Sequence, residues 1–260
     1  MIYCKPFLKG REGMKVISIM NQKGGTGKTT VTLNLAAAYA LDGSRVLMMD
    51  LDSQGSLTAA TCAFSEQEPS TYEVIAGDVK LTDAIKTLKT GLSIVPTDNR
   101  LLLLKETGEA RQRGRIKRIL KGIETDYDYV FIDCPPHLAI DTIMALSASD
   151  YAIIPVQTNY LSMAGLAQMM DSIKYLQDKN KALQVGAIVP TFVRKTNLDR
   201  YVLSCIREVY PDLLTESHIS QSVLLAEAPL FQKDIFSYKP HSKGAKEFTA
   251  LHNELVHRGI

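Results

Sequence analysis

The sequence predicts an α/β fold, a doubly wound, mostly parallel sheet with helices on both faces. Apolar runs of strand length recur along the chain, several nearly continuous in Val, Ile, Leu and Met, as strands buried on both faces require. Helical patterns fall between them, and strands alternating with helices form a parallel sheet. A glycine-rich turn ending at Lys28 separates the first strand from the first helix, at the kind of strand-to-helix corner where such sheets bind ligands.

Residues 1–13 are mixed in character, carry Pro6, Gly10 and Gly13, and read as an N-terminal tail, with Met14 as the start of the folded unit. Strands are expected over 15–20, 45–50, 92–96, 129–133, 151–156 and 185–189, and helices over 29–41, 114–123, 164–178 and 198–209. No long linker, low-complexity segment or internal repeat divides the rest, so residues 14–260 are expected to form one domain. The stretch 246–258 is amphipathic but mildly charged and reads as a packed final helix rather than a membrane-surface one.

The turn reads N-Q-K-G-G-T-G-K-T-T over 21–30. A phosphate-binding loop follows G-x-x-x-x-G-K-[ST], and counting back from Gly27-Lys28-Thr29 places Gln22 where that template has its first glycine. The context is otherwise that of a P-loop. Gly24, Gly25 and Gly27 let the backbone turn N–H groups toward phosphate oxygens, and the helix N-terminus adds its partial positive charge. Lys28 is placed to reach the β- and γ-phosphates, and the Thr29 hydroxyl to ligate Mg²⁺. Lys23 is surplus to the template. It is either a solvated loop lysine or a charge supplied to a nucleotide on a second subunit, as an arginine finger is.

Two buried strands end in carboxylates. R-V-L-M-M-D (45–50) runs into D-L-D-S-Q-G (50–55), and Y-V-F-I-D (129–133) runs into C-P-P. Strand C-terminal ends line the ligand crevice of such sheets. One carboxylate is expected to help hold Mg²⁺ and another to orient the attacking water.

Composition bounds the rest. With 30 Lys+Arg against 28 Asp+Glu, the net charge of +2 is too small to imply nucleic acid, so any DNA site must be a local patch. The four cysteines, Cys4, Cys62, Cys134 and Cys205, show no C-x-x-C spacing and read as reduced thiols. Neither a signal-peptide pattern nor an apolar run of membrane-spanning length occurs, so a cytoplasmic protein without a membrane partner is expected.

These residues carry a resemblance to the ParA/Soj ATPases of the ParA–MinD group, which have a deviant Walker A motif. It covers nearly everything from Met14 onward. It rests on K-G-G-T-G-K-T-T (23–30), D-L-D-S-Q-G (50–55) and F-I-D-C-P-P (131–136), and more weakly on Pro155 with Gly165 and on L-A-E-A-P (225–229). The resemblance implies ATP and Mg²⁺ as cofactors and ATP hydrolysis as the activity. Lys23 becomes the signature lysine that reaches across a sandwich homodimer to the partner's ATP. Lys23, Gly24, Gly25, Thr26, Gly27, Lys28, Thr29 and Thr30 bind nucleotide, with the base near Thr191 and the Pro229 loop. Thr29 ligates Mg²⁺, Asp133 acts through its shell, and Asp50 lies near it or is conformational. Asp52 positions the attacking water. The implied partners are nonspecific DNA and a ParB-type centromere-binding protein that stimulates hydrolysis, with nucleoid association in the ATP state.

The sequence departs from the family at one place. Shorter members carry two arginines before the A-E-A-P motif, where this chain has Gln221 and Leu224. DNA contacts would then come from Arg194, Lys195, Arg200 and Arg207, with Lys233, Lys239, Lys243 and Lys246 as further candidates. The basic stretch over 105–121 reads as a solvated helix face. Alternatives are a related ATPase that positions a non-DNA cargo, a MinD-like membrane-site ATPase, and an iron–sulfur reductase. The last would need a cysteine pair that Cys134 lacks.

Overall fold

The computed structural model describes residues 13–62, 64–65, 67–107 and 114–260. Most of the N-terminal tail, Cys4 and residues 108–113 of the basic stretch lie outside the described residues. Among the described residues, one seven-stranded sheet is formed by β1 (Lys15–Ile19), β2 (Val46–Asp50), β3 (Lys86–Thr87), β4 (Ser93–Val95), β5 (Tyr129–Asp133), β6 (Tyr151–Gln157) and β7 (Gln184–Thr191). Their order is β3-β4-β2-β5-β1-β6-β7. Every pairing is parallel except β3 with β4. The two-residue β3 was not among the expected strands, because two residues are too few to carry a period.

The strands read as continuous apolar runs because alternate residues enter two cores. Val16, Leu47, Met49, Val130, Ile132, Ala152 and Ile154 join one cluster. Ile17, Ile19, Met48, Phe131, Ile153 and Val189 join the other. A strand buried on both faces has no polar position to spare.

Helices cover both faces: α1 (Lys28–Leu41), α2 (Ser56–Thr61), α3 (Thr71–Ala76), α4 (Leu81–Ala84), α5 (Arg115–Leu120), α6 (Ile140–Ala148), α7 (Tyr160–Gln177), α8 (Asn197–Val209), α9 (Val223–Glu227), α10 (Ile235–Tyr238) and α11 (Lys243–His257). The four helices expected from periodicity are present, the one over 114–123 as α5 continued by a 3₁₀ turn, Lys121–Ile123. Helix α1 is buried almost all round. It packs against the sheet, α10 and α11. Its buried Asn34 is satisfied at both ends, donating to the Thr30 carbonyl at 2.8 Å and accepting from the Ile235 N–H at 2.7 Å. Helix α11 turns Ala245, Phe248, Leu251 and Leu255 into the second core, as expected of a packed final helix. Among the described residues no helix is long and apolar enough to cross a membrane.

Pro155 lies inside β6, where a missing N–H would ordinarily break a ladder. The pairing of β1 with β6 stops at Ile153. Two residues on, the β1 side of the strand is occupied by the loop after β1, and Asn21 Nδ2 donates to the Pro155 carbonyl at 2.7 Å. Proline therefore costs no strand pairing here, and its carbonyl anchors the start of the glycine-rich loop.

Candidate nucleotide-binding site

The parallel strands deliver Asp50, Asp133, Gln157 and Thr191 to one edge of the sheet, around the loop between β1 and α1. Gly25 and Gly27 have φ of 71° and 86°, a region open to glycine and strained for other residues. A side chain at Gly24 or Gly25 would meet only open space. Gly27 is the N-cap of α1, and no side chain caps the helix. Its first-turn N–H groups thus remain available to an anion.

The two lysines of the loop face differently. Lys28 is 7% exposed, and its Nζ donates to the Lys23 carbonyl at 3.3 Å. Burial lowers the Lys28 pKa, against the pull of Asp133 and Asp52. Lys23 is exposed, and its Nζ donates to Asn159 Oδ1 at 3.3 Å. The loop is held from outside by Gln157 Nε2, which donates to the Gly25 carbonyl at 2.6 Å, and by Thr191 Oγ1, which donates to the Thr26 carbonyl at 2.8 Å.

Asp50 and Asp133 are register partners on neighbouring strands, exposed by 0% and 1%. Burial raises both carboxyl pKa values, and for Asp133 the charge of Asp50 raises it further. Each is held by hydroxyls. Thr29 Oγ1 donates to Asp133 Oδ2 at 2.7 Å and Thr32 Oγ1 to Oδ1 at 3.1 Å. Thr58 donates to Asp50 Oδ2 through N–H and Oγ1, at 2.9 and 2.8 Å. Asp52 is half-buried in the turn after β2. Its N–H donates to Asp50 Oδ1 and its own Oδ1 accepts from the Gln54 N–H, both at 3.1 Å.

This donor set fits Mg²⁺. A hydroxyl and a carboxylate, Thr29 and Asp133, lie side by side next to the glycine-rich loop. Among the described residues no cluster of three His, Cys, Asp or Glu could cage a metal unaided. Mg²⁺ prefers such sparse protein ligation, completed by water and phosphate oxygens. Thr32 and Thr58 were not singled out by sequence. Thr32 carried a signal, lying one helical turn after Thr29, whereas nothing in the pattern marked Thr58.

Beside the loop, Gly27, Thr30, Thr191, Phe192, Ser222 and Leu225 contribute to a cavity of about 130 Å³. Thr191 lines this cavity. Pro229 does not; it sits in a 3₁₀ turn, Ala228–Phe231, that packs on α2. Cys134 is wholly buried, and burial pushes its thiol pKa far up.

Arg194, Lys195, Arg200 and Arg207 are exposed along the loop after β7 and on α8. Arg200 donates to the Asn197 side chain and Arg207 pairs with Glu216. Among the described residues the side chains of Arg194 and Lys195 make no ion pair. Leu224, where the family resemblance led to an arginine, packs against the second core, and Gln221 lies beside Arg194.

The loop carrying Arg194 and Lys195 is organised by Asp199, itself 1% exposed. Burial alone would raise its carboxyl, but hydrogen bonds from Thr158, Thr196 and the Arg194 N–H hold it at about 2, against an ordinary 3.8. A depressed carboxyl adds stability that is full above its ordinary value and is lost as pH falls from about 4 through about 2. The stability difference between the parent and Asp199→Asn should therefore shrink by on the order of 1–2 kcal/mol between pH 5 and pH 2. Urea midpoints across that range test this, and parallel curves would refute it.

The strand–loop–helix with its lysine, and the two acidic strand ends, define a P-loop nucleotide-binding protein. A model of the AAA domain family matches residues 14–185. The chain is 35% identical over 251 residues to the sporulation initiation inhibitor protein Soj of Bacillus subtilis, covering 94% of this chain and 99% of Soj. It is 33% identical over 253 residues to the chromosome partitioning protein ParA of Caulobacter vibrioides, covering 94% and 95%. Among solved structures it is similar to cobyrinic acid a,c-diamide synthase from Mycobacterium smegmatis with bound ATP analog and magnesium, at 29% identity and TM-score 0.82, over 95% and 96% of the two chains. The chain belongs to the ParA/Soj-type partition ATPases.

Proposed function

We propose that this protein is an Mg²⁺-dependent ATPase that partitions DNA: it forms a sandwich homodimer on ATP, binds DNA without sequence preference, and is driven to hydrolysis by a ParB-type partner. The observation that carries the reading is the divergence of the two loop lysines, Lys28 buried over the loop and Lys23 exposed on Asn159. A lysine in the first position serves its own nucleotide. One in the second is free to serve a neighbour's.

In this reading the loop N–H groups and Lys28 hold the phosphates, with Thr30 and Thr191 near the nucleotide. Thr29 and Asp133 hold Mg²⁺, which supplies charge neutralisation between the phosphates. Asp50, fixed by Thr58, sets the turn that presents Asp52, and Asp52 orients the attacking water. ATP-bound dimers associate with the nucleoid through Arg194, Lys195 and Arg200.

The test uses Asp52→Ala, which should bind ATP, accumulate as a dimer in light scattering and lose turnover. With ATP, but not with ADP, it should bind random-sequence duplex DNA. The logarithm of affinity should fall linearly with that of salt concentration, with a slope of roughly 0.9 per phosphate neutralised. Wild-type turnover in Asp52→Ala would remove Asp52 from this role. A dimer that ignores DNA would favour the second reading, an ATPase that positions a non-DNA cargo. That reading draws on Gln221 and on the packed Leu224.

A further inference from the structure

The end of β6 faces two ways. Side chains alternate along extended chain, and the backbone remains extended through Asn159, with φ −128° and ψ 158°. Gln157 and Asn159 reach the glycine-rich loop, one at the Gly25 carbonyl and the other at the Lys23 ammonium. Thr158, between them and 4% exposed, donates its hydroxyl to Asp199 Oδ1. The other Asp199 oxygen accepts from the N–H groups of Arg194 and Thr196, at 3.0 and 2.9 Å. Those two bonds bracket Lys195, whose φ is +62°. A non-glycine residue in that region persists only where its surroundings impose it.

Asp199 also completes a capping box with Thr196 at the start of α8. A cap needs only those two residues. The bond from Thr158, 41 positions away in sequence, adds nothing to the cap. Its effect is to tie the basic loop to the strand end that holds Lys23.

We infer that Asp199 is a positioning residue that couples the basic loop at 194–196 to the lysine-bearing loop at 23–27, with Thr158 as the link. When Lys23 leaves Asn159, or phosphate pulls Gly25 inward, the strand end carrying Gln157 and Asn159 moves. Thr158 moves with them because it lies between them in one extended segment. The carboxylate follows, and with it the two N–H groups that fix Arg194 and Lys195. The consequence for DNA rests on the function proposed above. The mechanical coupling does not.

A double-mutant cycle read by amide hydrogen exchange tests the coupling without any ligand. Lys23→Ala should speed exchange of the Arg194 and Thr196 amides by roughly five-fold, a coupling toward the lower end of that between contacting residues. In a Thr158→Val background, which keeps shape but removes the hydroxyl, Lys23→Ala should have no such effect. Thr158→Ser should restore it. An unchanged Lys23→Ala effect in Thr158→Val overturns the proposal, as does the absence of any effect in the parent. A merely structural Thr158 would speed exchange without altering the response to Lys23. A second arm measures DNA binding with ATP, where Thr158→Val should lose most of the difference between ATP and ADP. A parent that ignores DNA would sink the DNA reading, while the exchange cycle would still judge the coupling.

Discussion

A Lys28→Ala chain should bind ATP roughly 30-fold to several-thousand-fold more weakly than the parent, corresponding to the 2–5 kcal/mol lost on truncating one partner of a buried, hydrogen-bonded charge pair. The side chain is almost wholly enclosed, and burial lowers its pKa while Asp133 and Asp52 oppose that loss of charge. A phosphate entering the loop would complete the neutralisation of this cation. No second lysine can substitute from within the loop, since Lys23 faces Asn159. Calorimetric titration with Mg²⁺ and ATP reads the effect, and thermal unfolding without nucleotide separates it from a folding defect. Unchanged affinity in a folded variant would end the P-loop assignment.

Lys23→Ala should show the reverse pattern. Its ATP affinity should stay within about two-fold of the parent, because an exposed side chain held by one neutral amide contributes little to the loop it leaves. Turnover at saturating ATP should fall by roughly 10²–10³. An arginine finger contributes about 10³–10⁵, and lysine, a point charge without the bidentate fork, contributes less. The ATP-dependent dimer seen by light scattering should disappear with it. A variant that hydrolyses and dimerises normally would make Lys23 an ordinary loop lysine. Together the two variants separate holding the nucleotide from using it, and the separation follows from two ammonium groups five residues apart with different surroundings.

The sheet was legible because its strands are buried on both faces. Continuous apolar runs such as Val46–Met49 allow few other readings, and the carboxylates that end them stand out by contrast. The short helices were less legible. α2 and α3 span six residues each, too few for a 3.6-residue period to repeat, and α6 is apolar enough to hide its periodicity. The loop and its acidic partners were readable because each occupies a fixed offset from a strand end. Gln157, Thr158, Asn159 and Asp199 were not, since their meaning depends on which strands become neighbours. Asn159 lies 136 positions from the lysine it holds, and no local pattern encodes that distance. Leu224 shows the opposite case. A departure from the family pattern was visible in the sequence, yet its packing against the second core could be seen only in the fold.

Helix α1 carries Lys28 and Thr29 on its first turn and is enclosed by the sheet, α10 and α11. An element wedged on every side cannot tilt or slide without opening a well-packed interior. The site therefore has one stationary wall. Whatever distinguishes the ATP state from the ADP state must be expressed by the segments around it, at 52–55, 157–159 and 192–199, which are tied down by a few hydrogen bonds each. The molecule should thus register the γ-phosphate at its rim and leave its interior unmoved, so that a sensor label on α1 would stay silent through the cycle while one on the loop after β7 would report each turnover.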